Sequence, residues 1–132
     1  VLRFRTGDIC HYYTEPCRCG RNTPRLGPVV GRKQQMVKLK GTSLYPNAII
    51  DELNAIAEVA NFVVELHSDE LGLDEVVVKA LLRGENAEYK VLEKLSGKLR
   101  VKPRLILASN EEINKLKFDE NQRKPQILID KR

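Results

Sequence analysis

The chain has 132 residues, of which 42% are hydrophobic and 31% are charged, a balance typical of one soluble globular domain and unlike a disordered chain. It has no signal-peptide pattern and no apolar run of the roughly 18 to 20 residues that a membrane-spanning helix needs, so we expect a cytoplasmic protein without a membrane partner. The net charge of +5 comes from 23 basic and 18 acidic residues of interleaved sign. With four Tyr, three Phe and no Trp, nucleic-acid binding is not expected, whereas a polyanionic small ligand suits the positive balance.

Residues 1–31 combine short alternating runs with turn-forming residues. Residues 2–6 and 9–13 predict two strands, and residues 15–28 hold Pro, Gly, Cys and Arg in an order typical of a loop. The segment has too few apolar residues to fold alone. Because the chain starts without Met, directly on this alternating segment, we expect residues 1–31 to be the end of a larger preceding domain.

The stretch GRKQQMVKLKGTSLYP, residues 31–46, connects this segment to the rest of the chain. Its first residues predict a turn, and residues 36–40 alternate in the manner of a strand. Gly41 marks a position where a strand turns or lets another backbone or a ligand approach closely. Pro46 suits the first position of a helix, and apolar side chains follow on one helical face as far as residue 57.

The remaining elements alternate between strands and helices. Residues 62–66 and 75–82 predict an antiparallel pair, and His67 at the end of the first strand is interpreted as a surface or turn residue. Residues 89–99 predict a helix with Gly97 as its C-cap. A strand over 103–108, a helix opened by a Ser109/Glu112 capping box and a strand over 126–130 complete the chain. This order predicts an α+β fold with a mainly antiparallel sheet and helices on one face, close to ferredoxin-like order.

Three thiols within ten residues raise the question of a metal site. Cys10, Cys17 and Cys19, with His11 as a fourth donor, match the donor types of a tetrahedral zinc site, which needs four ligands at about 2.0 to 2.3 Å. Cys10 and His11 are adjacent and point to opposite faces if they lie on a strand, which leaves the fourth ligand open. The alternatives are reduced structural thiols and, less favoured, a disulfide.

Three motifs occur in the order found in adenylate-forming enzymes. They are RTGD at residues 5–8, GRKQQMVKLKG at 31–41 followed by SLYP, and RKPQILIDKR at 123–132. Together they resemble the C-terminal part of this superfamily, and the EPCRCGR insert and the YP dipeptide resemble its phenylacetate-CoA ligase branch. The resemblance covers essentially the whole chain.

The resemblance implies a two-domain enzyme. Residues 1–31 would be the terminal β segment of the large adenylation domain, and residues 32–132 a mobile C-terminal lid. The enzyme would use ATP, Mg²⁺ and a small carboxylate to form an acyl-adenylate and pyrophosphate, and coenzyme A (CoA) would then displace AMP to form a thioester. The chain alone is expected to be inactive, because the acyl pocket and the phosphate-binding loop would lie in the remainder of the large domain.

Four residues take roles from the motif positions that they match. Asp8 would bind the ribose hydroxyls, and Arg32 would contact the nucleotide beside the hinge. Gln34 falls on the hinge position, where the family usually has Asp or Lys. Gly41 would line the pantetheine tunnel, where a side chain would obstruct the thiol.

Lys124 falls on the catalytic lysine of the resemblance, which bridges the carboxylate and the α-phosphate during adenylation. An ammonium group placed against developing negative charge stabilises the transition state electrostatically. The match is imperfect, because Arg123 stands where the family often has glycine. Lys115 and Lys117 are the competing candidates, and the distance to the IDKR end favours Lys124.

Two other functions stay open from the sequence. One is a stand-alone ferredoxin-like module that binds a small ligand or mediates dimerisation. The other is an adenylating enzyme that passes the acyl group to a carrier protein.

Overall fold

A computed structural model describes the protein at residues 2–39, 41–119 and 123–132, apart from the side chain of Gln34. The chain forms a β hairpin, a short connecting segment and an α+β unit built on a four-stranded sheet. The predicted α+β class is therefore confirmed. Lys40, which belongs to the predicted strand 36–40, lies outside the described residues.

The first hairpin pairs β1 (Asp8–Tyr13) with β2 (Arg25–Arg32) in antiparallel register. The predicted loop over 15–28 is therefore too long, because Arg25 already pairs with Tyr13. The predicted strand over 2–6 is wrong: these residues are exposed and unpaired, with Leu2 95% exposed. Alternation of side chains favours an extended conformation, but a strand also needs a neighbour that accepts its backbone hydrogen bonds.

A short 3-10 helix (Lys33–Gln35) leads from β2 into a second hairpin, β3 (Val37–Leu39) and β4 (Thr42–Leu44). Gly41 sits in its turn at φ +84°, a left-handed conformation that only glycine adopts without strain. Helix α1 (Pro46–Ala55) then starts with proline at its first position, as predicted, and ends two residues before the predicted limit of 57.

The main sheet has the strand order β7-β6-β5-β8. Its centre is the predicted antiparallel pair, β5 (Val59–Ser68) with β6 (Asp74–Leu82). The two outer strands, β7 (Arg104–Leu107) and β8 (Leu128–Asp130), run parallel to their neighbours. The long central pair of strands is therefore antiparallel, and the two short edge strands are each parallel to their neighbour.

Helices cover both faces of this sheet, so the prediction of helices on one face is wrong. α1 and α2 (Ala87–Leu99) pack on the face that carries the main core. The other face bears α3 (Asn110–Lys117), because the Asn61 amide of β5 donates to Asn110 and Asn114 at 2.7 and 3.0 Å. The largest buried side chains of the main core come from both helices, the central strands and β3: Val37, Ile49, Leu53, Val64, Leu66, Val76, Val78, Val91 and Leu95.

The helix ends agree with the sequence at α3 and differ at α2. The Ser109 hydroxyl accepts from the Glu112 amide, and the Glu112 carboxylate accepts from the Ser109 amide, which confirms the capping box. The predicted cap at Gly97 is wrong, because α2 continues to Leu99 and Arg100 takes the left-handed cap position at φ +55°. None of the described helices combines the length and the apolar character that crossing a membrane requires.

A buried carboxylate organises the α3-bearing face of the sheet. Glu65, in the middle of β5, is 2% exposed. Its Oε1 accepts hydrogen bonds from Lys79 Nζ of β6 at 3.1 Å and from Lys131 Nζ, just after β8, at 2.9 Å. Its Oε2 lies 2.9 Å from His67 Nε2, so this histidine has a partner that the sequence did not reveal. The four side chains cross-link three neighbouring strands, and we call them the Glu65 cluster.

The Glu65 cluster keeps its carboxylate ionised. Burial alone would raise the pKa of Glu65, but hydrogen bonds from His67, Lys131 and Lys79 outweigh that cost and hold the pKa at about 2, below the ordinary 4.5. A folded-state pKa below the unfolded value means that the carboxylate stabilises the fold above pH 4.5. The contribution is lost as the pH falls from 4.5 through 2.

We therefore expect Glu65→Gln to lower the free energy of unfolding at neutral pH and to lower it much less in acid. At pH 7 the variant should be less stable than the parent by on the order of 3 kcal/mol, and the difference should shrink as both are brought to pH 2. Urea unfolding of both chains at several pH values measures this. Glu93→Gln, at an exposed position of α2, serves as the control and should show no comparable difference. A Glu65→Gln deficit that stays constant from pH 7 to pH 2 would contradict the role of the ionised carboxylate.

Candidate functional site

The structure brings two of the predicted nucleotide-binding residues together at the end of the first hairpin. Asp8 opens β1 and Arg32 closes β2, and the two are partners in the antiparallel register. Arg32 Nε lies 3.4 Å from Asp8 Oδ1, and the Asp8 amide donates to the Thr6 hydroxyl at 3.2 Å. The side chain of Asp8 is 29% exposed and that of Arg32 is 67% exposed. The pair is therefore anchored by the hairpin yet open to a ligand.

The connecting segment after this pair is short and locally fixed. Gln34 lies in the 3-10 helix between β2 and β3. The Lys33 amide just before it donates to the Gly7 carbonyl at 2.9 Å. A Cβ at Gly31 would lie 2.7 Å from the Tyr45 ring, so glycine is required here by close packing. The sequence predicts only a turn at Gly31, whereas the structure shows that Gly31 and Tyr45 fit the first hairpin against the start of α1.

Gly41 occupies the open turn between β3 and β4. A Cβ at this position would meet no atom within 4 Å, so packing within the described chain does not demand a glycine. The positive φ does demand it, and the missing side chain leaves the turn accessible beside a groove of about 840 Å³. A side chain placed there would project into the space that a ligand could occupy.

Lys124 and its two competitors differ in their surroundings. Lys117 is held inside the fold: its Nζ donates to Asn61 Oδ1, it lies 5.4 Å from the centre of the Phe62 ring, and burial lowers its pKa. Lys115 is exposed on α3. Lys124 is exposed in the segment between α3 and β8, and no partner is found for it within residues 2–39, 41–119 and 123–132. Its side chain is therefore available to reach beyond this chain.

The predicted site residues do not form one cluster. Asp8 and Arg32 meet, and Gln34 follows them in the connecting segment. Within the described parts of the chain, no hydrogen bond or ion pair links Lys124 to Asp8 or Arg32. Any chemistry shared by these residues would need a ligand or further protein between them.

The cysteines converge only in part. Cys19 Sγ and Cys17 Sγ lie 3.1 Å apart across the turn closed by Gly20, and a hydrogen bond from Cys17 to the Cys19 thiolate lowers the pKa of Cys19. Cys10 lies on β1, and the His11 ring lies 6.3 Å from the Tyr13 ring, centre to centre, at a tilt of 38°. Among the residues that the structure describes, no three His, Cys, Asp or Glu side chains are placed to hold a metal ion. The structure therefore does not assemble the predicted zinc site, and zinc binding stays a hypothesis.

Two residues that the sequence did not single out fix the start of β3. The Arg132 guanidinium donates to the Met36 carbonyl at 3.2 Å and to Asp74 Oδ1 at 3.2 Å. Asp74 Oδ2 accepts in turn from the Lys38 amide at 2.8 Å. Hydrogen bonds to Asp130 and Asp74 raise the pKa of Arg132, so it stays charged. The IDKR end is the signal that could have pointed to this role.

The fold is that of the C-terminal domain of adenylate-forming ligases. The chain is similar to the crystal structure of 2-hydroxyisobutyryl-CoA ligase in the postadenylation state in complex with R3-HIB-AMP, with a TM-score of 0.70 and 21% sequence identity. The match covers 99% of this chain and 29% of the ligase chain. A second structure of the same ligase, in complex with 2-HIB-AMP and CoA in the thioesterification state, has a TM-score of 0.53 and 21% sequence identity. This match covers 98% of our chain and 28% of the ligase chain. At these identities the likeness defines the fold alone.

A curated relative adds sequence similarity. Phenylacetate-coenzyme A ligase of Thermus thermophilus is 37% identical over 79 residues, which are 60% of this chain and 18% of the relative. The chain thus spans less than a fifth of the length of the curated relative that it matches. No protein-family model matches the chain. The predicted resemblance to the C-terminal part of the adenylate-forming superfamily is confirmed by these comparisons.

The contact between Arg132 and Asp74 should protect the backbone amides of β3 from hydrogen exchange. Arg132→Ala should speed hydrogen exchange of the Lys38 amide by roughly 5- to 30-fold, because Asp74 loses the guanidinium that orients it. Amide exchange of the purified chain followed by NMR measures this. Lys98→Ala removes an exposed bridge to Glu52 on the helices and should leave the Lys38 amide unchanged. Equal exchange at Lys38 in the parent and in Arg132→Ala would show that the contact does not hold β3.

Proposed function

We propose that the chain is the C-terminal part of an ATP-dependent acyl- or aryl-CoA ligase of the phenylacetate-CoA ligase type. The full-length enzyme would form an acyl-adenylate from a small carboxylate and ATP, release pyrophosphate, and then transfer the acyl group to the CoA thiol with release of AMP. The 37% identity to a phenylacetate-coenzyme A ligase supports the branch, although the residues that select the acid would lie outside this chain. A cytoplasmic location is part of the proposal.

The observation that carries the proposal is the pairing of Asp8 with Arg32 directly before the connecting segment. These residues come from two motifs that are 24 positions apart, yet they meet at one hairpin end. In the proposed enzyme the Asp8 carboxylate accepts hydrogen bonds from the ribose hydroxyls, and the Arg32 guanidinium contacts the nucleotide. Gln34 would then be the hinge residue about which residues 32–132 rotate.

Exposed apolar side chains support a domain boundary at residue 31. Leu2, Phe4, Leu26 and Val29 are all more than half exposed on or before the first hairpin. Apolar side chains grouped in this way are typical of a surface that packs against more protein. The hairpin would therefore belong to the large adenylation domain, while the α+β unit would form the lid.

Lys124 would serve the first half-reaction. The proposal assigns it to bridge the substrate carboxylate and the α-phosphate, where an ammonium stabilises the charge that develops on the transferred group. Its exposure and lack of a described partner support this choice over Lys117, whose ammonium is already engaged by Asn61. Mg²⁺ would accompany the ATP phosphates.

Gly41 would serve the second half-reaction. After rotation of the lid, its open turn would face the pantetheine arm of CoA, and the absence of a side chain would let the thiol pass. The proposal separates the two half-reactions between two parts of the lid. A carrier-protein acceptor is the competing hypothesis, and thioester formation with free CoA decides against it.

Zinc bound by Cys10, Cys17, Cys19 and His11 is kept as a separate hypothesis. The contact between the Cys17 and Cys19 sulfur atoms supports a shared role for these two thiols. Metal analysis of the purified protein that finds no zinc, with all three thiols freely titratable, would reject it.

Lys124→Ala in the full-length enzyme should reduce carboxylate-dependent pyrophosphate exchange by at least about 100-fold, because one preorganised cation is lost from the transition state. Thioester formation from a supplied acyl-adenylate and CoA should stay within about threefold of the parent enzyme, since that step would not use Lys124. Lys115→Ala is the control, at an exposed lysine on the neighbouring helix. Equal losses in both half-reactions would count against the assigned role.

Gly41→Leu should show the reverse pattern. Thioester formation from acyl-adenylate and CoA should fall by at least about tenfold, and pyrophosphate exchange should be retained. Gly84→Leu is a matched control, because Gly84 also has a positive φ and open space at its Cβ, so it carries the same backbone strain. Normal thioester formation in Gly41→Leu, or an equal loss in Gly84→Leu, would remove Gly41 from the thiol path.

The proposed activity itself is tested by AMP release. The full-length protein is supplied with ATP, CoA and a panel of aryl and alkyl carboxylic acids, and AMP and the thioester are measured. Release of AMP that depends on one class of acid supports the proposal. Absence of AMP release with every acid in the panel would overturn it.

A further inference from the structure

One cluster of polar side chains ties the start of β3 to the main sheet. The Arg132 guanidinium binds the Asp130 carboxylate at the end of β8 through Nε and Nη2, at 3.0 and 2.8 Å. Its Nη1 donates to Asp74 Oδ1 at the start of β6 and to the Met36 carbonyl, both at 3.2 Å. Asp74 Oδ2 accepts from the Lys38 amide at 2.8 Å. We call the three side chains of Arg132, Asp74 and Asp130 the Arg132 clamp.

The clamp depends on the geometry of the guanidinium as well as on its charge. A guanidinium is planar and holds its donors in a rigid fork, so binding one carboxylate through two of them sets the direction of the third. That third donor meets the Met36 carbonyl, 96 positions away in the sequence. The side chains of Arg132 and Asp74 are 17% and 20% exposed, so solvent screens their contact less than a contact on the open surface. The clamp therefore restrains the backbone of β3 directly.

The clamp takes hold two residues after the proposed hinge position. On the side of the first hairpin, the Lys33 amide donates to the Gly7 carbonyl at 2.9 Å. On the side of the α+β unit, the clamp holds the Met36 carbonyl. Gln34 and Gln35 are the two residues between these attachments. A rotation about the connecting segment would therefore be confined to two residues, and the chain from Met36 onward would move with the main sheet.

The clamp also affects the turn that carries Gly41. β3 and β4 have three residues each and form a sheet of their own, separate from the four-stranded sheet. A two-stranded hairpin has little stability by itself. The buried side chains of Val37 and Leu44 anchor this hairpin by packing, and the clamp adds the hydrogen bonds that hold its backbone. The position of Gly41 relative to the main sheet therefore depends on Arg132 and Asp74.

We propose that Arg132 and Asp74 are positioning residues for the second half-reaction, because they make the Gly41 turn rotate as one body with the main sheet. The inference rests on the proposed function, in which residues 32–132 rotate about Gln34 and Gly41 lies on the path of the thiol. Neither positioning side chain needs to touch a substrate. Without the clamp, the hinge would extend past Met36, and the turn would reach the thiol path in several orientations instead of one. The thioester step would then slow down while CoA still binds.

Arg132→Ala and Asp74→Ala test the inference in the full-length enzyme. We expect each variant to form thioester from acyl-adenylate about 10- to 100-fold more slowly at saturating CoA, because small displacements near reacting groups have effects of this size. The KM for CoA and the carboxylate-dependent pyrophosphate exchange should both stay within about threefold of the parent. An unchanged thioester rate, or an equal loss of pyrophosphate exchange, would overturn the proposal.

The double variant separates one shared clamp from two independent effects. If Arg132 and Asp74 act through the same contacts, Arg132→Ala with Asp74→Ala should be no more than about threefold slower than the slower single variant. Losses that multiply would overturn the proposal. Lys94→Ala is the control, because its ion pair with Glu58 at 3.3 Å is also partly exposed but joins α2 to the residue before β5. A comparable loss of the thioester rate in Lys94→Ala would likewise overturn it.

A digestion experiment tests the clamp without catalysis. Trypsin is added to the native full-length enzyme, and cleavage after Lys38 in β3 is followed by mass spectrometry. Arg132→Ala should be cut there about 5- to 30-fold faster than the parent, because its hairpin opens more often. Cleavage after Arg83, an exposed residue that follows β6, is the internal reference and should not change.

The two experiments fail in different ways. Equal cleavage after Lys38 in the parent and in Arg132→Ala would overturn the clamp. A parent enzyme that forms no thioester would instead reject the proposed function, and the digestion would still decide whether the clamp holds β3.

Discussion

The buried carboxylate of Glu65 is the interaction on which the sheet depends most. β8 has only three residues and pairs in parallel with β5, so few backbone hydrogen bonds hold it. Lys131, at its end, adds a charged hydrogen bond to Glu65, and Lys79 ties β6 to the same carboxylate. A buried charge is costly to transfer from water, and removing one partner from such a pair leaves that cost uncompensated. The cluster therefore makes the correct placement of β8 a condition for burying Glu65.

This constraint reaches the candidate catalytic lysine. Lys124 lies four positions before β8, and two residues after it the Gln126 amide donates to the Lys117 carbonyl at the end of α3. The chain that follows Lys124 is thus held by α3 at Gln126 and by the Glu65 cluster at Lys131. A side chain that reaches out from a rigid base loses less conformational entropy when it binds than one on a free tail. The Glu65 cluster would serve function by holding the base of Lys124, without touching a substrate.

The sequence predicted the long periodic elements well and the single-residue contacts poorly. The β5–β6 pair, α2 and the α3 capping box follow from local patterns, because each is encoded within a few neighbouring residues. The role of Glu65 could not be read from its neighbours in sequence, since its partners Lys79 and Lys131 are 14 and 66 positions away. The contact of Gly31 with Tyr45 and the bonds of Arg132 to β3 were invisible for the same reason. The pairing of Asp8 with Arg32 could be anticipated only through the motifs.

The charges of this chain fall into two kinds, and the difference separates structure from candidate function. Lys79, Lys131 and Arg132 make short contacts with Glu65, Asp74 or Asp130, so their charges are used inside the fold. Lys38, Lys102 and Lys124 find no carboxylate partner in the described structure. A fold gains no stability from a cation that faces solvent alone. The proposed function gives Lys124 a partner outside the described structure, because an ammonium there would meet the carboxylate and phosphate groups of the substrates.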